Sequence, residues 1–378
     1  SFALFVAERG TATKEVVYVL ERQGFIRPHM ADENDKRTIY MVDMHEPLMF
    51  LHNLDTTIKE PFASNPAVLD AVEKNHKKLQ IAMTKLYPGN LVLSLSSGIM
   101  YHRLVDRITA LNDVPREPLV PRRLGKNMCV PFGKILRGKV VPNTVTKTLH
   151  TDKVYEPDLE SYTIEPFPYY SPLNSQIETI RSFDRPVILV DDLVHKADRL
   201  QVLVPKLRET GIPIKKVVVG VLSGYGRDLM QQLKVPVESI YSMPNVRQWF
   251  VESTLYPFIG GDTVRREEMK VAGLQPSINM ILPYATPKLS GCSREALVEF
   301  SACCIENSRD LLQVLEAEYR KQYAKNLTLS RLSEAVILPL CPDKGSCMEY
   351  DENLAASVYL ENDLEMLQRM RKFMVTIQ

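Results

Sequence analysis

The stretch Pro186-Val-Ile-Leu-Val-Asp-Asp-Leu-Val-His-Lys-Ala-Asp-Arg-Leu200 decides the fold of this chain. Its first five residues are apolar and do not alternate with polar residues, which predicts a strand buried on both faces of a parallel sheet. Two carboxylates, Asp191 and Asp192, follow directly and are predicted to lie at the carboxyl end of that strand. Because parallel-sheet proteins bind ligands at this end, we predict a ligand site around the two aspartates.

Other segments of the chain predict the same architecture. Residues 91–95 and 216–222 are further runs of mostly apolar residues, while residues 99–110 and 199–210 have helical periodicity. Buried strands that alternate with helices predict an α/β fold with a central doubly wound parallel sheet.

The length of 378 residues suggests two or three domains of about 100–200 residues each. We predict a small N-terminal α/β segment at 1–52, a helical connection at 53–85, the doubly wound domain at 86–262 and a mainly helical region at 263–378. The apolar faces of the last region either pack on the core or form a homodimer interface.

Composition excludes several classes of function. The 47 basic and 46 acidic residues nearly cancel, so nucleic acid is not an expected partner. No apolar run approaches the ~20 residues of a membrane span and no signal peptide opens the chain, which makes the cytoplasm the expected location. The six cysteines are expected to be reduced, and no histidine follows Cys341 and Cys347 at zinc-ligand spacing.

The fourteen residues from Val187 to Leu200 resemble the signature of the type I phosphoribosyltransferases, in which a buried strand carries a paired acid before a Thr- and Gly-rich loop. The resemblance implies that Asp191 and Asp192 engage the ribose hydroxyls of phosphoribosyl pyrophosphate and stabilise the developing cationic sugar. It also implies that the loop and the helix start bind the 5′-phosphate, and that Mg²⁺ arrives bound to the substrate without direct protein ligands. An alternative is that the two aspartates only cap a helix.

The loop departs from the family pattern Thr-Thr-Gly-x-Thr, since the chain has His195, Lys196, Ala197, Asp198 and Arg199 there. Ala197 restricts close backbone approach, and Asp198 places a negative charge beside any phosphate. Lys196 and Arg199 are candidates to bind the phosphate directly. His195 is a candidate general base, or alternatively a hydrogen-bonded rim residue.

Further candidate contacts follow from other segments. Loops of small residues can bind a pyrophosphate, a base or a phosphate. The basic region at 116–158 can supply a mobile loop that closes over pyrophosphate. Aromatic faces can stack on a base. The candidates are Ser96, Ser97 and Gly98, then Lys147, then Ser223 and Gly224, and finally Trp249 and Tyr256. The alternative for the small-residue loops is a turn required by packing. The alternatives for the basic region are a solvated connection or an RNA contact, and the alternative for the aromatic residues is core packing.

The N-terminal residues carry a second resemblance. Strand, helix and strand are predicted at 2–6, 13–23 and 37–42, and Glu21-Arg-Gln-Gly-Phe25 resembles the C-terminal half of a GNAT-type N-acetyltransferase. The coenzyme A loop of that family would precede Ser1, so acetyl transfer is not predicted. A small α/β cap is the alternative.

The resemblances imply a protein that binds phosphoribosyl pyrophosphate or a nucleotide, and that transfers phosphoribosyl to a base if it is active. One alternative is a non-catalytic nucleotide sensor or protein-interaction member of the same fold. The other is an interaction scaffold built on part of an acetyltransferase.

Overall fold

The computed structural model describes residues 27–29, 39–41, 43–121, 123–136, 138–266, 271, 273–287, 289, 291–344 and 350–376. The strands of these residues are β1 (Arg27–His29), β2 (Ile39–Met41), β3 (Asp43–His52), β4 (Asn90–Ser96), β5 (Met128–Pro131), β6 (Val145–Thr146), β7 (Thr151–Tyr155), β8 (Tyr162–Pro166), β9 (Val187–Val194), β10 (Ile214–Ser223), β11 (Val237–Met243), β12 (Gln248–Val251), β13 (Asp262–Val264), β14 (Gln275–Ile278) and β15 (Leu340–Pro342). The α-helices are α1 (Pro66–Leu86), α2 (Ser97–Leu111), α3 (Leu173–Arg181), α4 (Asp198–Glu209), α5 (Gly224–Gln232), α6 (Arg294–Tyr323) and α7 (Ala356–Thr376).

The chain forms two compact units. Leu95–Val246 is one of them, here called the continuous unit, and Ser1–Ser94 joins Arg247–Gln378 in the other, here called the two-part unit. Trp249 and Tyr256, which the sequence analysis grouped with the aspartates, belong to the two-part unit.

A five-stranded sheet in the order β11-β10-β9-β5-β6 forms the centre of the continuous unit. Its neighbouring strands are parallel, with β9 between β5 and β10. All four residues from Val187 to Val190 are fully buried. The predicted α/β class with a parallel sheet is therefore confirmed.

Strand β9 extends further than predicted. Leu193 and Val194 pair with Val221 and Leu222 of β10, so the two aspartates lie within the strand and not after it. The carboxyl groups of Asp191 and Asp192 lie close enough to hydrogen-bond with each other.

Two predicted loops are helix starts in the structure. The Ser96 side chain accepts a hydrogen bond from the Ile99 backbone N–H at 3.4 Å, so α2 begins at Ser97. In the same way, Ser223 caps α5, which begins at Gly224. A serine at the N-cap satisfies a backbone donor that would otherwise lack a partner, which explains the early start of both helices.

The basic region at 116–158 also has more structure than a connection. Strands β5, β6 and β7 lie in it, and β7 forms an antiparallel hairpin with β8. These strands are not predicted from the sequence, because they are short and lack clear periodicity.

In the two-part unit, a three-stranded sheet in the order β12-β3-β4 lies with α1, α6 and α7. Helix α1 packs against α6, and α6 against α7. Separately, β14 pairs with β13 and β15, and β1 pairs with β2. Most of the segment that resembles an acetyltransferase lies outside the described residues. None of the described helices has the length and apolarity needed to span a bilayer.

A buried ion pair connects Asp363 of α7 with Lys344 in the two-part unit. Asp363 is fully buried and forms an ion pair with Lys344, and the Tyr284 hydroxyl donates a hydrogen bond to Asp363 at 2.6 Å. Loss of one partner of a buried ion pair destabilises the fold, because the remaining charge is buried without a counter-charge.

We expect Asp363→Ala to lower the free energy of unfolding of the two-part unit by about 3–5 kcal/mol, because it leaves Lys344 buried without its counter-charge. Lys344→Met/Asp363→Leu should recover most of that loss. Urea titration followed by the fluorescence of Trp249, the single tryptophan of the chain, measures both. Equal midpoints for Asp363→Ala and the wild type would contradict the assigned role.

Candidate functional site

Asp191 is the buried acid of the candidate site, with 3% of its surface exposed. Its Oδ1 accepts a hydrogen bond from the Asp192 backbone N–H at 2.8 Å, and its Oδ2 lies 3.9 Å from Nη1 of Arg199. Burial raises the pKa of Asp191 well above its usual range, and the charge of Asp192 adds to this, whereas Arg199 opposes it. Asp191 therefore holds its proton more tightly than a free aspartate does.

Gly133 lies against this carboxyl group. It follows β5, and a Cβ atom at this position would overlap with the carboxyl atoms of Asp191. The Phe132 backbone N–H donates to the Val190 carbonyl oxygen at 3.1 Å, which holds the loop beside β9. Gly133 is not among the residues predicted from the sequence, although a glycine just after the buried run Met128–Pro131 is a signal for close backbone approach.

The N-terminus of α4 faces the loop without a side-chain cap. Its N-cap residue is Ala197, which has a left-handed backbone with φ of 55° and offers no side-chain acceptor. The N–H groups of the first helical turn are thus open to an anion, and the helix dipole favours negative charge there. Arg199 lies in this turn, and its Nε is buried without a hydrogen-bond partner.

Asp198 does not fold into the loop. Its Oδ2 lies 3.5 Å from Nζ of Lys153 in β7, and that ammonium group lies 3.6 Å from the centre of the Tyr162 ring in β8. The negative charge of Asp198 is thus directed at the β7–β8 hairpin and partly compensated there. The predicted repulsion of a phosphate by Asp198 is correspondingly reduced.

His195 contacts Ser223, the last residue of the neighbouring strand β10. Its Nδ1 lies 2.8 Å from the Ser223 hydroxyl oxygen, which also accepts a hydrogen bond from the Gly226 N–H at 2.9 Å. Burial lowers the pKa of His195, and Lys196 lowers it further while Asp198 opposes this change. The imidazole is therefore mainly neutral at pH 7, and Nε2 is the nitrogen left to meet a ligand.

The glycines at the start of α5 are explained by packing. A Cβ atom on Gly224 would collide with the Pro244 carbonyl oxygen, and one on Gly226 with the Val194 carbonyl oxygen. This favours the packing-turn alternative for Ser223 and Gly224.

The remaining predicted residues are dispersed. Ser96, Ser97 and Gly98 cap or begin α2, with the Ser97 hydroxyl buried and without a hydrogen-bond partner, and Lys147 is exposed after β6. In the two-part unit, Trp249 is partly buried in β12, and Tyr256 is fully buried and has no exposed face for a base. The structure thus brings together Asp191, Asp192 and the loop residues His195 to Arg199.

Comparisons with known proteins found similar chains among solved structures. No family model matches the chain, and neither does any curated protein. The acetyltransferase resemblance therefore gains no support from these two comparisons. Among solved structures, a purine phosphoribosyltransferase from Pyrococcus horikoshii is similar at 15% sequence identity, over 41% of this chain and 86% of that chain, with a TM-score of 0.24.

We expect Ala197→Gly to stabilise the continuous unit by about 0.5–1 kcal/mol. The left-handed conformation costs an alanine about 1–2 kcal/mol, and the entropy of glycine in the unfolded chain offsets part of the gain. Calorimetry should show a Tm that is about 1–4 °C higher. Ala110→Gly, the same change within α2, is the control and should lower the Tm instead. A lower Tm for both variants would contradict the strain at Ala197.

We expect Asp191→Asn to remove a loss of stability that the wild type shows as pH rises. Because the pKa of Asp191 is raised in the folded state, this state holds the proton above pH 3.8, where the unfolded chain releases it. Stability falls as pH rises through this window, by up to about 1.4 kcal/mol per pH unit for one proton. Melting temperatures from pH 4 to 8 test this: the variant should gain on the wild type with rising pH, and parallel curves would contradict it.

Proposed function

We propose that the continuous unit binds a phosphorylated ribose, as phosphoribosyl pyrophosphate or a nucleotide, at the carboxyl ends of its parallel strands. The observation that carries the proposal is the pair formed by Asp191 and Arg199. A buried carboxyl group and a guanidinium group with an unsatisfied Nε lie at the uncapped N-terminus of a helix. Such unsatisfied buried groups are costly in a fold unless a ligand completes them.

The chemistry of the pocket suits both parts of such a ligand. The open N–H groups of α4, together with Arg199 and the exposed Lys196, suit a phosphate. The carboxyl groups of Asp191 and Asp192 suit ribose hydroxyls, and a protonated Asp191 both donates and accepts hydrogen bonds. In this proposal, the ligand supplies the Mg²⁺ through its pyrophosphate oxygens, as Mg²⁺ prefers oxygen ligands and retains several waters.

Phosphoribosyl transfer is the further step of the proposal. Asp191 and Asp192 would orient the ribose, and His195 would accept a proton from the incoming base through Nε2. A non-catalytic nucleotide sensor is the second candidate, and the departure of residues 195–199 from the Thr- and Gly-rich loop pattern favours it.

The test is calorimetric titration of phosphoribosyl pyrophosphate with Mg²⁺ into the full chain. We expect saturable binding to the wild type, none to Asp191→Asn/Asp192→Asn, and roughly 10- to 100-fold weaker binding to Arg199→Gln, because a charge-assisted hydrogen bond contributes about 1.5–3 kcal/mol. Release of pyrophosphate when purine or pyrimidine bases are added distinguishes transfer from sensing.

Lys215→Gln is the matched control, since this exposed lysine lies near the amino end of β10 and thus at the opposite edge of the sheet. It should bind as the wild type does. The proposal fails if the folded wild type gives no heat with phosphoribosyl pyrophosphate, or if the double variant binds it equally well.

A further inference from the structure

The two-part unit holds a cluster of two histidines and one glutamate that the sequence analysis did not single out. Its members are His52, His76 and Glu252, whose possible ligand atoms all lie within 4.8 Å of one another. Within the described ranges, this is the one group of three His, Cys, Asp or Glu side chains with that property.

The strand register brings two members together although 200 positions separate them in the sequence. Strand β12 pairs in parallel with β3, and Val251 is opposite Leu51. Glu252 follows Val251, and His52 follows Leu51. Both side chains therefore lie at the carboxyl ends of adjacent strands. Nδ1 of His52 contacts Oε2 of Glu252 directly.

Helix α1 supplies the third member. Nδ1 of His76 lies 3.5 Å from Oε1 of Glu252, and the ring centres of His52 and His76 are 3.9 Å apart. Two ligand atoms that are each ~2.1 Å from a tetrahedral zinc ion are separated by about 3.4 Å. The spacing of His76 and Glu252 therefore suits one shared ion.

Reciprocal amide hydrogen bonds hold the residues that adjoin each ligand. The Asn53 side-chain amide donates to the Ser253 hydroxyl at 3.0 Å, and the Ser253 backbone N–H donates to the Asn53 side-chain oxygen Oδ1 at 3.0 Å. Asn75 and Asn307 donate to each other's backbone carbonyls at 2.7 and 2.9 Å. Rigid support of this kind keeps ligand side chains in a fixed geometry before an ion binds.

The second nitrogen of His76 is also positioned. Nε2 lies 3.3 Å from the Ser94 hydroxyl oxygen and 3.0 Å from the Gln80 amide nitrogen. A protonated Nε2 donates to the Ser94 hydroxyl, and the Gln80 carboxamide becomes a second acceptor when it is turned so that its oxygen faces the ring. In this arrangement Nδ1 carries no proton and is available to a metal, and Nδ1 is buried without a hydrogen-bond partner.

We propose that His52, His76 and Glu252 bind one divalent transition-metal ion of the Zn²⁺ type. Glu252 is fully buried, whereas the side chains of His52 and His76 are 22% and 16% exposed, so solvent reaches the site from the imidazole side. Two imidazoles and one carboxylate favour Zn²⁺ and its neighbours in the first transition row over Mg²⁺ or Ca²⁺, which prefer oxygen alone. Three protein ligands leave a coordination position for water or an incoming ligand.

The test uses the full chain without a histidine tag, stripped with a chelator and titrated with Zn²⁺ against a chromophoric competitor. We expect one Zn²⁺ per wild-type chain, visible absorption bands of a four-coordinate site with Co²⁺, and a Tm that rises with Zn²⁺. His76→Gln and Glu252→Gln should abolish all three. Ser94→Ala should bind about 10- to 100-fold more weakly, because it removes only the support of His76.

His102→Gln is the matched control, because His102 is an exposed histidine of the continuous unit and should leave Zn²⁺ binding unchanged. Calorimetry without metal checks that each variant folds. If the wild type binds no Zn²⁺, prefers Mg²⁺, or binds no better than His76→Gln and Glu252→Gln, the proposal is overturned. The cluster is then a buried ion pair between Glu252 and a protonated histidine.

Discussion

The pairing of β9 with β5 on one side and β10 on the other is the constraint on which the continuous unit depends. Four consecutive side chains, Val187 to Val190, are fully buried by this arrangement. Their burial contributes about 6–12 kcal/mol at roughly 1.5–3 kcal/mol each. A buried polar group with incomplete hydrogen bonding costs only about 1–3 kcal/mol. The burial of the four apolar residues therefore outweighs the cost of burying Asp191 in the same strand. The raised pKa of Asp191 is a consequence of how well the preceding residues pack.

Both candidate sites follow the same topological rule with different chemistry. In the continuous unit, β5 and β9 bring Gly133 and Asp191 together near their carboxyl ends. In the two-part unit, β3 and β12 bring His52 beside Glu252 at the corresponding ends. Parallel strands collect side chains at one edge of a sheet whatever those side chains are. The residue types then determine the ligand, so carboxyl and guanidinium groups suit a phosphorylated sugar, and imidazoles suit a metal ion.

The sequence predicted the central strands and long helices well, because continuous apolar runs and helical periodicity are local signals. It placed the ends of elements less well. Strand β9 continues past the aspartates because Leu193 and Val194 find partners on β10, and neither partner is visible in a local window. Helices α2 and α5 begin directly after Ser96 and Ser223, where the sequence predicts loops, because the small residues and glycines after each serine are also typical of a turn. The cluster of His52, His76 and Glu252 was missed entirely, since only the register of β3 and β12 makes distant residues neighbours.

The division of one unit into two chain segments also sets an order of events during synthesis. Strand β3 and helix α1 leave the ribosome before Leu95–Val246, whereas β12 and α6 follow it. At about 5–20 residues per second, β3 waits on the order of ten seconds for β12. Until then, β12 does not cover the apolar residues of β3. These residues, which are fully buried in the final structure, are Leu48, Met49 and Phe50. The unpaired edge of β3 can then bind chaperones or aggregate. The continuous unit can fold during this time.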